Sequence, residues 1–284
     1  MEEKIKTYHT HLAPKTGWFD IDLKEVWRYR DLIWLFTKKN FILMYKQTIL
    51  GPAWILLQPL LTTLIHTLVF GGIAGISTDG VPQLLFYMGG NAVWTFFAAC
   101  LNKTATTFTG NATIFGKVYF PRLVTPISTV LSSCVDFFVQ LAMFLIFWVY
   151  FLATGQISPN YTGMLMLPVM LIYLGMLGLG CGIIISSLTT KYRDLTMLVG
   201  FGVQLWMYVT PVVYPLSMLG NGGLSKLIRF NPVTCAVETF RWAFLGSGVF
   251  EPLYWLISAG FMVIVVFVGV IVFSKVEKTF MDTV

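Results

Sequence analysis

Charged and apolar positions interleave at helical spacing as far as Lys46 and separate almost completely after it. Val26, Tyr29, Ile33 and Phe36 recur at helical intervals while Lys24, Arg28, Asp31 and Lys38 take the opposite face. Asp22 followed by Glu25 resembles a helix-start capping arrangement, so an amphipathic helix is predicted within residues 22–50. Basic residues on one side, with Trp27, Trp34 and Phe41 nearby, suit a helix lying in the headgroup plane of a bilayer. After Gly51 and Pro52, residues 53–73 carry no formal charge, and His66 is their only ionisable side chain. That length crosses a bilayer.

Five further apolar stretches follow, at 83–101, 123–152, 163–188, 195–215 and 252–274, and Asp136 is the only formal charge in any of the six. The expected fold is therefore an all-α integral membrane protein of six transmembrane helices. Residues 1–21 form a polar tail before it, and 275–284 a short one after it. An even number of crossings puts both termini on one side. With both assigned to the cytoplasm, sixteen of the nineteen Lys and Arg residues fall inside, and only Lys226, Arg229 and Arg241 fall outside. The positive-inside rule favours that orientation. It also accounts for the net charge of +6 without nucleic acid as a partner.

Composition agrees with the pattern. Hydrophobic residues make up 56% of the 284 and charged ones 11%, far from the quarter or so typical of soluble domains. Cys100, Cys134, Cys181 and Cys235 are widely spaced and unpaired in sequence, which points to small apolar residues rather than a zinc site or a disulfide framework. No metal site is expected. The first 22 residues lack the apolar core of a cleavable signal peptide.

Two connections are longer than a link requires. Residues 102–122 are helix-compatible and end in Phe120-Pro121-Arg122, a candidate docking loop. Residues 216–251 are apolar but interrupted by glycines and Pro232, with a helical piece of only about fourteen residues; Asn231 suits its cap, Pro232 its first turn and Gly246 its end. Such a segment reads as a re-entrant or interfacial hairpin on the outside.

Chemistry-bearing residues are sparse. Gly110–Val118 resembles a phosphate loop, but five residues separate its glycines where four are needed, and Val118 replaces the magnesium-binding hydroxyl. Any energy from ATP would have to arrive through a partner. Asp136 within an apolar stretch needs a partner, a proton or water. It reads either as a structural hydrogen-bonding group or as a proton or substrate site, with Gln58 and His66 as candidate partners. Glu238 and Arg241, three residues apart, suit an ion pair on one helix face or a role at an exit gate. Phe201, Trp206, Tyr208 and Tyr214 would offer ring faces to sugars in a lumen, or would simply pack.

The runs WRYRDLIWLFTKKNF and YKQTILGPAWILLQPLL, then NATIFGKVYFPR, KYRD, RFNPVTCAVETFR and VEKTFMDTV, occur in that order. Together they resemble the permease of a bacterial polysaccharide ABC exporter, of the class that moves O-antigen, capsular polysaccharide or teichoic acid. The first run is most similar to the O-antigen branch. The resemblance implies two copies of the chain enclosing a channel, with two separate ATPase chains that bind the ATP and magnesium, and no cofactor held directly. It implies a coupling helix between Lys103 and Lys117, including Thr107, Asn111 and Phe115, with Lys191, Arg193 and Asp194 close to the same partner. It implies an entrance for an undecaprenyl diphosphate-linked glycan near Lys38, Lys39, Tyr45 and Lys46, where plain binding of membrane lipid serves the same lysines equally well. The outer mouth would be closed by the hairpin carrying Asn231, Pro232, Glu238 and Arg241. The implied location is the bacterial inner membrane. A drug or small-lipid exporter permease, a membrane-embedded transferase and a proton-driven carrier stand as alternatives.

Overall fold

A computed structural model describes residues 23–46, 51–192, 194–220 and 222–283, apart from the side chains of residues 23, 44, 45, 52 and 278–283. Among the described residues the chain is helical, with no strand. Five of the described helical stretches are long and apolar enough to cross a membrane.

The amino-terminal stretch forms two helices, α1 (Leu23–Arg28) and α2 (Arg30–Tyr45), separated at Tyr29. Val26 and Ile33 are buried as their spacing predicts, and Tyr29 and Phe36 half-buried. Thr37 is buried as well, because α2 does more than rest on a surface. The Thr37 hydroxyl donates to the Ser128 carbonyl at 3.3 Å, and the Ser132 hydroxyl donates to the Thr37 carbonyl at 3.3 Å. These bonds pin α2 to α6 (Val124–Ala153). The outward face of α1 and α2 mixes Trp27, Trp34 and Leu35 with Arg28, Lys38 and Lys39.

The first long helix, α3 (Trp54–His66), continues as a π-helix over Thr67–Ile73. The wide turn brings Gly71 against Gln83, whose amide donates to the Gly71 carbonyl at 3.4 Å. Next comes α4 (Gln83–Ala105), apolar on every side and therefore central. Its apolar window is 78% buried, against 17% for the stretch that α3 opens. Packed on it is α8 (Leu167–Thr189), which follows the single-turn α7 (Tyr161–Met164). The two backbones approach closely at Gly178 and Gly182, where an added Cβ would lie 2.6 Å from Cys100 Cβ and 2.5 Å from Thr104 Cβ. Small residues four apart permit such an approach between membrane helices. The opposite side of α8, at Gly180, meets Val265 and Val266 of α12 (Pro252–Thr283).

The stretch expected over 195–215 differs from its reading. Its helix, α9 (Leu195–Val209), has 15 residues and stops short of a full crossing. Pro211 is the cause: a residue preceding proline is driven out of the helical region, and Thr210 is extended with φ −93° and ψ 139°. A 3₁₀ turn at Leu216–Leu219, α10 (Gly223–Arg229) and α11 (Pro232–Phe244) follow. The tail expected from residue 275 is instead a continuation of α12, whose 32 residues run about 48 Å.

Two apolar cores result. The larger gathers α4, α6, α8 and α11. The smaller joins Val26 and Ile33 to Phe115 of α5 (Thr107–Phe115), to Phe120 and Val124, and to Phe273 of α12. Phe108 stacks on Phe273 with ring centroids 4.5 Å apart.

Candidate functional site

At the end of the bundle carrying the smaller core, the loop expected from residue 102 begins four residues later. Asn102, Lys103 and Thr104 still belong to α4, and the turn falls at Thr106. Helix α5 is two-faced. Thr107 is buried with its hydroxyl donating to the Thr104 carbonyl at 2.7 Å, and Phe115 is buried beneath the Arg122 guanidinium, 5.5 Å from its ring centroid. Asn111 donates from its amide to the Thr107 carbonyl at 2.9 Å. Thr109, Gly110 and Thr113 face outward, as does Lys117 beyond the helix end.

The end of α8 is fastened to this helix. The Phe108 backbone N–H donates to the Ser186 hydroxyl at 3.2 Å, and the Thr189 hydroxyl donates to the Ala105 carbonyl at 3.3 Å. The bend that follows therefore lies beside α5, with Lys191 and Asp194 exposed and the Lys191 ammonium 5.2 Å from the Tyr192 ring centroid. Arg193 lies outside the described residues. The base of α12 closes the surface through Arg122, whose backbone N–H and guanidinium both donate to Glu277. Sequence reading assigned Arg122 no such role, and no local signal links it to Glu277.

The lysines proposed for the entrance are exposed on α2 and at its end: Lys38, Lys39 (5.7 Å from the Phe36 ring centroid) and Lys46. Tyr45 ends α2, and its side chain lies outside the described ones. Beside this helix end, Lys103 supplies what the sequence reading sought elsewhere. Its ammonium lies 3.0 Å from Asp136 Oδ2, so the partner of the intramembrane carboxylate is a lysine on α4 rather than Gln58 or His66. The pair separates two clefts. One, of about 410 Å³, lies between α2, α4 and α6 with Asn40, Thr106 and Ser132 in its wall. The other, of about 350 Å³, runs between α3, α4 and α6 past Gln58, Asn91 and Gln140.

At the opposite end, α11 is buried on almost every side. Asn231 caps it by accepting from the Val233 N–H at 3.1 Å, and Pro232 takes the first turn as its sequence suggests. The same Asn231 oxygen accepts from the Trp206 indole at 3.1 Å, and its amide donates to the Thr210 hydroxyl at 2.9 Å, tying α11 to the end of α9. Glu238 and Arg241 do pair, at 3.2 Å, with side chains 5% and 1% exposed. Arg241 also donates to the Val212 carbonyl at 2.7 Å, and its guanidinium sits 3.6 Å from the Phe86 ring centroid. Glu238 accepts from the Val249 N–H at 3.3 Å. Burial raises the Glu238 carboxyl above the ordinary range, against the opposing pull of the Arg241 charge. Burial likewise lowers Arg241, to about 10. The pair is a latch inside the protein, fixing the segments on either side of α11.

The four aromatics divide. Phe201 and Tyr208 are exposed on α9, 61% and 54%. Trp206 packs edge-on against Phe97 at 5.2 Å, and Tyr214 places its hydroxyl 3.3 Å from the Tyr208 carbonyl. Trp206 therefore fastens α9 against α4, while Tyr214, just past the helix, folds back on the exposed end of α9 itself.

The chain is similar to the O-antigen export system permease protein RfbA of Klebsiella pneumoniae, 28% identical over 253 residues, covering 89% of this chain and 94% of that protein. It is 27% identical over 221 residues to the protein of the same description from Myxococcus xanthus, covering 77% of this chain and 82% of that one. With the polysialic acid transport protein KpsM of Escherichia coli it shares 21% over 235 residues, 82% of this chain and 89% of that protein. Residues 31–245 match the family model described as ABC-2 type transporter. With that match over most of its length and five helices fit to cross a membrane, the chain is a multi-pass membrane protein that belongs to the ABC-2 type transporter family.

Proposed function

We propose that the chain is the transmembrane permease subunit of a polysaccharide ABC exporter, acting as a homodimer with two copies of a separate ATPase chain that binds the ATP and magnesium. The observation that carries this is the similarity to O-antigen export permeases along nearly the whole chain. The substrate class is a glycan on an undecaprenyl diphosphate carrier, most similar to the O-antigen branch. The outward face of α5 and the neighbouring Lys191 and Asp194 are the surface offered to the ATPase. Lys38, Lys39 and Lys46 provide the cations an anionic diphosphate needs at headgroup level.

In this reading both termini are cytoplasmic in the inner membrane, and α1 and α2 lie in the headgroup plane, with Trp27 and Trp34 towards lipid. The short α9 makes the fifth of six crossings together with the turn after it, and α10 and α11 form the external re-entrant segment. Phe201 and Tyr208 face the channel.

Photocrosslinkers at Thr109 and Thr113 test the assembly in native membranes. They are expected to trap an ATPase chain, and depletion of this protein is expected to leave lipid-linked glycan on the cytoplasmic side. Crosslinks that reach no nucleotide-binding protein would overturn the proposal.

A further inference from the structure

The two short helices before α12 differ in what covers them. Nearly every side chain of α11 is buried, whereas α10 buries Ser225 and Ile228 and leaves Leu224, Leu227 and, just past its end, Phe230 exposed by 60%, 66% and 55%. Spaced three residues apart, these three follow one side of the helix, with Lys226 exposed at their edge. The depth of that side is fixed by α12. Arg229 donates to the carboxylate of Glu251, the residue just before α12, and Phe230 packs edge-on against Tyr254 with ring centroids 5.4 Å apart. Tyr254 lies about 3 Å along the axis from the first residue of α12, where the apolar stretch of that helix begins. Ile257 and Phe261, three and seven residues beyond Tyr254 and therefore on its side of α12, are exposed as well.

We propose that α10 is a foot set in the outer leaflet of the bilayer, with Leu224, Leu227 and Phe230 among phospholipid acyl chains and Lys226 at the phosphates. This rests on the external placement of α10 proposed above. The occupant follows from continuity: the exposed side of α10 joins the flank of a helix fit to cross the membrane, and lipid covering that flank reaches α10 without a break. A long cationic side chain beside an apolar face keeps its stem in the apolar layer while its charge reaches the headgroups. A helix at such a boundary buries its apolar face about 5–10 Å deep. Tyrosine is enriched at the same level, where Tyr254 stands. A glycan would find no hydrogen-bonding side chain on Leu224, Leu227 or Phe230. A second copy of the chain seated there would exclude lipid and water together.

The experiment attaches a nitroxide to Leu224→Cys, Lys226→Cys or Leu227→Cys, one at a time, in the full chain reconstituted into vesicles of phosphatidylethanolamine and phosphatidylglycerol. Collision is measured with oxygen, which concentrates in hydrocarbon, and with a water-soluble nickel chelate. The unsubstituted chain, treated alike, gives the background from its four cysteines. Oxygen is expected to dominate at Leu224→Cys and Leu227→Cys, and nickel at Lys226→Cys. Nickel dominating at all three positions overturns the lipid contact. Weak collision with both reagents, joined by spin–spin broadening between copies, gives the face to a second protomer and overturns the proposal too. An impermeant maleimide applied to spheroplasts is expected to react with Lys226→Cys. Reaction only after lysis overturns the external placement, and the outer-leaflet site with it, whatever the nitroxides show, so the two failures are told apart.

Discussion

The Lys103 ammonium and the Asp136 carboxylate meet at 3.0 Å across 33 positions of sequence, joining the last turn of α4 to the middle of α6. Their side chains are 32% and 18% exposed, so the pair is only partly screened. Replacing Asp136 with leucine leaves the lysine charge without its carboxylate, and we expect a loss of about 1–3 kcal/mol, below that of a fully buried pair. Adding Lys103→Met should recover most of it. Thermal unfolding in detergent of the two variants would read both effects.

The latch at the other end should cost more to open. Arg241→Met leaves Glu238 buried without its cation and removes the donor to the Val212 carbonyl, for an expected loss of about 3–5 kcal/mol. Glu238→Gln retains an acceptor for Val249 and should be the milder change. Folded yield and unfolding temperature give the ordering.

Helix contacts can be tested by adding a single methyl group. Gly182→Ala puts a Cβ 2.5 Å from Thr104 Cβ and 2.9 Å from the Leu101 carbonyl, and overpacking of this kind costs about 1–3 kcal/mol. Gly200→Ala on α9 meets nothing within 4 Å and should be neutral, or stabilising by up to about 1 kcal/mol through helix propensity. The two alanine variants, unfolded side by side, should move in opposite directions or differ clearly in size.

Charge at the end of α2 separates transport from insertion. Neutralising Lys38, Lys39 and Lys46 together should reduce surface glycan more strongly than it reduces the amount of protein in the membrane, because all three side chains are exposed. Equal losses in both measurements would make these lysines a membrane anchor alone.

Much of this was readable in the chain because bilayer thickness fixes the length of an apolar stretch. The boundaries near Trp54, Gln83, Val124 and Pro252 followed from hydropathy, and the start of α11 from the chemistry of Asn231 and Pro232. Lys103 was misassigned to a loop because a charge normally marks the end of a span, whereas here a carboxylate on another helix lets the helix continue past it. Pro211 carried the signal for the early stop of α9, but the apolar residues around it concealed the break. Thr37, Arg122 and Glu277 gave no local sign of their partners, since each contact depends on which helices become neighbours.

The glycine-notched seam between α4 and α8 also limits how such a protein can move. Backbones that interlock at Gly178 and Gly182 cannot slide past each other without collision, so these two helices turn as one stator, and α12, seated at Gly180, turns with them. The α3 stretch, with 17% of its apolar window buried, and α9, with Phe201 and Tyr208 uncovered, lie outside that seam. Any rearrangement within one chain therefore goes around that fixed post, not through it.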